Sequence, residues 1–404
     1  MILDQILASD YGLFGLIFVA IALGAIVGIV WFTHFYLAPA KKKHEQAIEG
    51  LAEQTSAAMA EKERYMARLG RVRSAMSSDD RQIWMRYDST DAPELAEKIK
   101  SSIPIITVAN LKGGVGKTTL TANLAAYFEK ARGMRVLLID LDYQGSLSAL
   151  ALNAAHSFAQ EETVTEHLIR GDRDPEWLLY ATIKLGETLP FSSVLTSFYD
   201  FATIENQVML EWLLGDRFDD ARFTMAKYLH HPVVQDNYDM VILDCPPRLT
   251  TGVVNALTSS THLLIPTKLD RMSGQAVVTF LRQLREMKPL LFPELDVLGV
   301  VGSMVDNSVS LTPTESGIWA DFAQDLAPQW AEDVHLFKGA EIPQKSAVAA
   351  ASGSEFVYLK DAATRELFNR LGDAIMERLD GRTRTFDPRR AGSAGGAAIG
   401  QPSA

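Results

Sequence analysis

The chain opens with a long uninterrupted run of apolar residues. Residues 11–33 contain no charged side chain. A helix of that length, rising about 1.5 Å per residue, crosses the roughly 30 Å hydrocarbon core of a bilayer. A buried core helix is the alternative, and the length of the run disfavours it. The pattern therefore predicts a transmembrane helix over residues 11–37.

Charges on either side of this run predict its orientation. Lysines occupy positions 41–43, whereas Asp4 and Asp10 precede the run, which is the reverse of the charge order of a cleaved signal peptide. Lysines are enriched on the cytoplasmic side of membrane helices. We therefore predict a short extracytoplasmic N-terminus over residues 1–10 and a cytoplasmic location for everything after the span.

A helical stalk or linker is predicted over residues 38–100. Residues 44–76 are rich in Ala, Glu, Lys, Arg and Met and lack proline, as expected of a helix. Their apolar positions recur three and four residues apart, which is a coiled-coil spacing interrupted by Thr55 and Lys62. A coiled coil and an amphipathic helix lying on the core both fit this pattern.

Residues 101–380 alternate short Val/Ile/Leu runs with helical stretches, whereas residues 381–404 are rich in Gly, Ala, Ser, Arg and Pro. The alternation predicts an α/β domain with a mostly parallel twisted sheet and helices on both faces. The last segment has little to bury, which predicts a disordered tail. The predicted strands are 105–109, 136–139, 240–243, 262–266 and 297–304.

The charge and cysteine content of the chain argue against several classes of function and site. The net charge of −11 provides no general attraction to nucleic acid, so DNA binding is not predicted, although Arg282, Arg285 and Lys288 share one predicted helix. Cys245 is the single cysteine of the sequence, which excludes an intrachain disulfide and a four-cysteine metal site.

A glycine-rich loop follows the first predicted strand and precedes a predicted helix. It reads Lys112-Gly113-Gly114-Val115-Gly116-Lys117-Thr118-Thr119. Backbone amides of such a loop, with the positive end of the following helix, bind phosphate oxygens. Lys117 is expected to bridge the β- and γ-phosphates, Thr118 to bind Mg²⁺ through its hydroxyl, and Thr119 to contact the α-phosphate. The sequence thus predicts a P-loop for ATP and Mg²⁺.

Three aspartates follow predicted strands. Asp244 ends the run MVILD at the carboxyl edge of the sheet, where ligands of such sheets bind, and is expected to contact Mg²⁺ through water. Asp140 and Asp142 follow the run VLLI, two residues apart and therefore on one face of an extended chain. One of the two can lie near the metal and the other near the attacking water.

These motifs together resemble the ParA/MinD family of deviant Walker A P-loop ATPases over residues 103–379. They are the loop with its additional Lys112, the segment Asp140 to Gly145, Asp244-Cys245-Pro246-Pro247, Phe337-Lys338, and Ile342-Pro343. The resemblance implies that Lys112 reaches the phosphates of a partner subunit in an ATP-bound sandwich homodimer. It also implies that Asp142 orients the attacking water and that Asp140 lies near Mg²⁺. Ser303, Asp306 and Pro343 fall where the family holds the base.

By this resemblance the protein is an ATP hydrolase whose dimerisation depends on nucleotide and whose turnover a partner protein activates. With its anchor, it is expected to position, recruit or gate a cargo at the membrane. The region 153–208 and Arg248 depart from the usual pattern of partition proteins. Region 153–208 is either a partner surface or a helical insertion packed on the core.

Two other functions compete with this hypothesis. A bacterial tyrosine kinase or polysaccharide co-polymerase also joins membrane helices to a P-loop domain. That class usually has two spans and a tyrosine-rich tail, and residues 381–404 contain no tyrosine. The second competing function is a membrane scaffold that binds ATP without hydrolysing it. The presence of Lys117, Asp142 and Asp244 together disfavours it. A nitrogenase-type reductase needs two cluster cysteines per subunit and is excluded.

Overall fold

A computed structural model gives the coordinates of the protein. It describes residues 10–76, 80–85, 101–155, 162–217, 219–306, 311–326, 330, 334–344, 355–360 and 362–379. The predicted tail at 381–404 and most of the predicted N-terminus at 1–10 lie outside these residues. The chain forms two compact units, Met1–Gly70 and Arg71–Ala404.

The described residues of the first unit, 10–70, are helical. Helix α1 spans Asp10–Phe32, a π-helical turn covers Thr33–Leu37, and helix α2 spans Ala38–Met76. Among the described residues this stretch holds one segment that is long and apolar enough to cross a membrane, and none of its most apolar window is buried. Phe18, for example, is 77% exposed. The predicted helical character of the span and stalk matches these elements.

Apolar side chains of the stalk part of α2 are also exposed. Ile48 is 58% exposed and Leu51 is 63% exposed. These side chains are exposed in the single chain, and the coiled coil stays a prediction.

The second unit is built on an eight-stranded sheet of order β3-β4-β2-β5-β1-β6-β7-β8. All neighbouring pairs are parallel except β3 and β4, which form an antiparallel hairpin at one edge. The strands are β1 Ile105–Val108, β2 Val136–Asp140, β3 Ile183–Leu185, β4 Leu189–Leu195, β5 Met240–Asp244, β6 His262–Thr267, β7 Asp296–Val305 and β8 Ile342–Pro343. The five predicted strands correspond to β1, β2, β5, β6 and β7.

Helices cover both faces of this sheet. The further helices are α3 Asp80–Trp84, α4 Lys117–Arg132, α5 Ser146–Ala154, α6 Glu166–Arg170, α7 Leu178–Ala181, α8 Phe201–Leu214, α9 Thr224–Leu229, α10 Pro232–Asn237, α11 Thr251–Ser259, α12 Arg271–Leu291, α13 Pro313–Leu326 and α14 Ala362–Leu379, with 3₁₀ turns at Pro175–Trp177 and Val357–Leu359. Alternate strand residues bury on opposite faces: Ile105 packs with α8, α11 and α12, and Ile106 with α4 and α14. The predicted fold class is confirmed.

Two regions add detail to the predicted organisation. Region 153–208 forms short helices, the β3–β4 hairpin and the start of α8, and it places buried side chains such as Leu168 and Phe201 in the core. Trp84, from the predicted linker, is 2% exposed and packs in the same core. The domain bounds remain predictions, but the second unit begins before residue 101.

Candidate nucleotide-binding site

The glycine loop connects β1 to α4 as predicted, and its backbone requires glycine at two positions. Gly114 and Gly116 have φ of 68° and 80°, in the left-handed region that side chains with a Cβ rarely adopt. A Cβ at Gly116 would also lie 2.8 Å from Ser303 Oγ on β7. Ser303, near the end of β7, therefore lies in close contact with the loop.

The start of α4 is open to a ligand. Its N-cap is Gly116, which supplies no side-chain hydrogen bond to the first amides of the helix. Such amides carry the positive end of the helix dipole and bind anions. Thr118 and Thr119 lie half-buried in this first turn, while Val115 is fully buried beneath the loop. The local geometry fits a phosphate group at this position.

Asn110 fixes the entrance of the loop, a role that the sequence alone did not indicate. Its side-chain amide donates to the Pro266 carbonyl at 2.8 Å, and its Oδ1 accepts the Lys112 amide at 3.0 Å. The residue is fully buried. It therefore ties the loop to the end of β6, and the signal for it is its position directly after the apolar run of β1.

The two lysines of the loop differ in environment. Lys117 is 7% exposed, and its Nζ donates to the Lys112 carbonyl at 3.3 Å. Burial lowers the pKa of Lys117, and the nearby charge of Asp244 opposes that shift. The Lys112 Nζ lies 3.7 Å from Oδ1 of Asp270, and both side chains are partly exposed. Lys117 thus points into the loop, whereas Lys112 lies at the surface.

Asp140 and Asp244 end neighbouring parallel strands and are paired in register. Asp140 Oδ2 accepts the backbone amide of Ser148 at 2.9 Å and its hydroxyl at 2.7 Å, while Oδ1 accepts the Asp142 amide at 3.0 Å. Burial, and then the neighbouring Asp244, raise the pKa of Asp140 well above its usual range. Asp140 therefore organises the segment that carries Asp142.

Asp244 differs from Asp140 because its oxygens lack such partners. Among the described residues, neither Oδ1 nor Oδ2 of Asp244 makes a hydrogen bond of good geometry, although both are buried. Burial raises the pKa of Asp244 to about 7, while the Thr118 hydroxyl and the Lys117 charge favour the ionised form. An orphaned buried carboxylate beside a threonine hydroxyl fits a cation.

Magnesium is the cation that this donor set suits. Within the described residues no group of three His, Cys, Asp or Glu side chains could hold a metal ion alone. Mg²⁺ characteristically binds through one or two protein oxygens together with substrate phosphates and water. Thr118 and Asp244 match that pattern, while Asp142, half-buried at the same edge, accepts the Gln144 amide at 3.0 Å.

The residues predicted near the base lie at the β7–β8 edge. Pro343 is buried and paired with Val305 in register, and the exposed Asp306 follows directly, its amide donating to Glu315 at 3.0 Å. Met304, directly before Val305, has a φ of 56°, which is strained for a residue with a side chain. The structure brings Asp306 and Pro343 together, and their contact with a base stays a prediction.

An exposed cluster of aromatic and basic side chains adjoins Asp142. The Arg248 guanidinium lies 5.3 Å from the centre of the Tyr143 ring, and Tyr199 meets that ring edge-on at 5.8 Å. Tyr199 is 82% exposed. Arg248, which departs from the usual pattern of partition proteins, and Tyr199, from the aromatic stretch of region 153–208, therefore both lie beside Tyr143, next to Asp142.

Comparison with known proteins decides the family. A family model described as an AAA domain matches residues 103–297. The chromosome-partitioning ATPase Soj of Thermus thermophilus is 31% identical over 230 residues, which cover 56% of this chain and 80% of that protein. The chain belongs to the ParA/MinD family of P-loop ATPases. It is therefore an ATP hydrolase.

Other members of the family and of the fold agree with this assignment. The chromosome partitioning protein ParA of Caulobacter vibrioides is 29% identical, with 52% of this chain and 72% of that protein covered. The Cyanothece McdA(D38A)–ATP complex has a TM-score of 0.56 and 18% identity, covering 71% of this chain and 100% of that chain. Cobyrinic acid a,c-diamide synthase from Mycobacterium smegmatis, bound to ADP and magnesium, has a TM-score of 0.53, 23% identity and the same coverages. These two structures support the fold of the ParA/MinD-family ATPase.

Proposed function

We propose that this ATPase is a nucleotide-dependent dimer switch anchored in the bacterial inner membrane through residues 11–37, where it positions, recruits or gates a partner. The observation that carries the proposal is the combination, in one chain, of an uncovered apolar helix with the open nucleotide site. Soluble monomers rarely expose apolar surface of this extent. A bilayer covers it completely.

In the nucleotide site, each predicted residue has a proposed task. Amides from Gly113 to Thr119 hold the phosphates, Lys117 neutralises the charge on the β- and γ-phosphates, and Thr118 and Asp244 hold Mg²⁺. The metal, when bound, neutralises phosphate charge. Asp142 orients the attacking water, and Asp140 holds Asp142 in place through its backbone amide. Burial lowers the pKa of Lys117, whereas the negative charge of Asp244 opposes that shift and favours the ammonium that meets the phosphates.

The switch depends on Lys112. Its partly exposed ammonium forms a surface ion pair with Asp270, which it can exchange for a stronger partner. Surface ion pairs contribute about 0 to 1 kcal/mol, and a charge-assisted contact to phosphate in a closed interface is stronger. ATP then favours the homodimer because Lys112 meets the phosphates of the partner subunit only in that state.

The partner itself is proposed from surface chemistry. The relatives named Soj and ParA are chromosome partitioning proteins. A chain that stays in the bilayer acts on something other than its own membrane attachment, so an activating partner protein and a cargo are proposed. Exposed aromatic side chains of region 153–208 provide the surface for that contact: Tyr180, Phe191 and Tyr199.

Membrane anchoring is tested with the full chain expressed in a bacterial host. Wild-type protein is expected to stay in the membrane pellet after an alkaline carbonate wash. A variant with Leu23→Arg and Ile26→Arg should move to the soluble fraction, because each charge at a helix centre costs about 2.5 to 3.5 kcal/mol of insertion. The matched control, Ile48→Arg with Leu51→Arg, should stay in the pellet. Release of the wild-type chain by the wash would contradict the anchor.

A further inference from the structure

Trp84 is buried in the second unit against Trp212, in the last turn of α8, and Arg222; these two residues are here called the tryptophan seat. The ring of Trp84 stacks on that of Trp212, with centroids 5.8 Å apart and planes 12° from parallel. The Trp84 carbonyl accepts a hydrogen bond of 2.8 Å from Arg222. Trp84 is 2% exposed, and its neighbours Ile83 and Met85 pack partly against the same core.

Arg222 makes this seat specific. Its guanidinium is fully buried, forms an ion pair with Asp220, and lies 5.0 Å from the centre of the Trp212 ring. A buried arginine needs its charge paired and its donors satisfied. One guanidinium donor of Arg222 bonds to the Trp84 carbonyl. The short segment Asp80–Met85 therefore supplies a hydrogen-bond acceptor to this buried charge.

The seat is joined to the nucleotide site along two routes that meet at α11. The Arg222 carbonyl accepts the Thr258 hydroxyl at 2.6 Å, near the end of α11. On the second route, α8 carries Trp212 in its last turn and Glu205 in its second. The Glu205 carboxyl accepts the Gly252 amide at 2.7 Å, at the start of α11.

The start of α11 is one loop away from the P-loop. Residues 245–250 join Asp244 to α11, and Pro247 of that loop lies about one van der Waals contact from Gly113, 4.0 Å from the position of a Cβ there. The Thr251 hydroxyl also donates to the Glu205 carbonyl at 2.9 Å. A movement of residues 245–250 on nucleotide binding would therefore be transmitted to α11, and to α8 through its hydrogen bonds to the start of α11.

The other end of α8 is held by the segment that leads from the stalk. Arg71 donates to the Leu214 carbonyl at 2.9 Å, at the C-terminal end of α8, where a cation is favourable to the helix dipole. Helix α8 thus contacts the start of α11 through Glu205, Trp84 through Trp212, and Arg71 through the Leu214 carbonyl.

We propose that residues Asp80–Met85 form a docked regulatory segment, keyed by Trp84, whose seating on Trp212 and Arg222 is coupled to nucleotide occupancy through α8 and α11. The inference rests on the proposed nucleotide site but not on dimerisation. Coupling of two binding events is reciprocal: if nucleotide changes the seating, then loss of the seat changes nucleotide affinity by the same factor. The function of the segment is to report the nucleotide state toward the stalk, or to bias that state from it.

The wild-type chain provides the first test. Hydrogen exchange of residues 80–85 is measured on full-length protein in detergent micelles without nucleotide, with ADP and Mg²⁺, and with a non-hydrolysable ATP analogue and Mg²⁺. Exchange rates are expected to differ at least fivefold between two of these states. Helix α10, Pro232–Asn237, which joins α9 to β5 and is not part of the proposed route, serves as the internal reference and should change less.

Variants supply the reciprocal test. Trp84→Ala should change the affinity for a fluorescent ADP analogue at least fivefold, whereas Trp84→Phe, which keeps a stacking ring, should stay within twofold. Trp177→Ala removes another, half-buried tryptophan of the same unit and should also stay within twofold. Restoration by phenylalanine separates the seat from general loss of stability, which thermal melts of all variants record.

Equal exchange of residues 80–85 in all three nucleotide states, or an unchanged affinity in a folded Trp84→Ala protein, would overturn the inference. Pairing is measured on the same samples by mass. Absence of ATP-dependent pairing with retained coupling would overturn the dimer switch alone. Absence of nucleotide binding in the wild-type chain would overturn both.

Discussion

The Nζ of Lys112 lies 3.7 Å from Oδ1 of Asp270 in the same subunit. The lysine proposed to contact the phosphates of the partner subunit therefore already has an anionic neighbour in its own subunit. Asp270 is also the N-cap of α12, accepting the Ser273 amide at 2.8 Å. One carboxylate therefore competes for Lys112 and caps a long helix. These two tasks can be separated by substitution.

Asp270→Asn is expected to strengthen ATP-dependent pairing. Asparagine caps helices as well as aspartate, so stability should be nearly unchanged, but the competing charge is gone. The gain is at most about 1 kcal/mol, or about fivefold in the dimer dissociation constant. Sedimentation at several concentrations measures it. Asp270→Ala is the control and should also lose about 1 kcal/mol of stability with the cap. Weaker pairing in the asparagine variant would count against release of Lys112.

Asp244→Asn is expected to remove the Mg²⁺ dependence of nucleotide binding while leaving some metal-free binding. The two Asp244 oxygens are buried without hydrogen bonds of good geometry, and the amide that replaces them is a much poorer ligand for Mg²⁺. Titration of a fluorescent ADP analogue with and without Mg²⁺ measures the difference. Cys245→Ser alters the adjacent buried residue and should keep the metal effect. An undiminished Mg²⁺ effect in Asp244→Asn would move the metal to another residue.

Glu205 predicts a pH dependence of stability. Burial raises the pKa of Glu205 to about 7, against the opposing effect of the Thr250 hydroxyl. A carboxyl whose pKa is raised by folding stabilises the fold below its ordinary pKa, and that contribution is lost as the pH rises through about 7. Glu205→Gln keeps an acceptor for the Gly252 amide and does not ionise. The free energy of unfolding of wild type, relative to this variant, should fall by about 2 to 3 kcal/mol between pH 5 and pH 8. Chemical denaturation at the two pH values measures it, and parallel pH profiles would contradict the assignment.

The sequence predicts those parts of the fold that depend on residues adjacent along the chain. Strands buried on both faces appear as continuous apolar runs, so β1, β2, β5, β6 and β7 could be located within one or two residues. The P-loop could be predicted because its glycines, lysine and threonine are consecutive. The β3–β4 hairpin could not, since Leu189–Leu195 contains a proline and two serines and reads as a loop.

Residues missed by sequence reasoning act through contacts between distant parts of the chain. Asn110 is defined by the carbonyl of Pro266, Glu205 by the amide of Gly252, and Trp84 by a ring in α8. Nothing in the residues adjacent to them indicates these partners. Trp84 lies within the predicted stalk or linker, and it packs beside Arg222, whose charge gives no local sign of being in the core.

ATP-dependent pairing of two subunits is tested by the mass of the unit from Arg71 onward, a fragment that retains Trp84. Light scattering is run with ADP and with ATP for wild type, Asp142→Ala and Lys112→Ala. We expect a monomer with ADP, a dimer with ATP that persists in Asp142→Ala because the water is no longer oriented, and a monomer throughout for Lys112→Ala. A mass that is independent of nucleotide in the wild-type and Asp142→Ala proteins would contradict it.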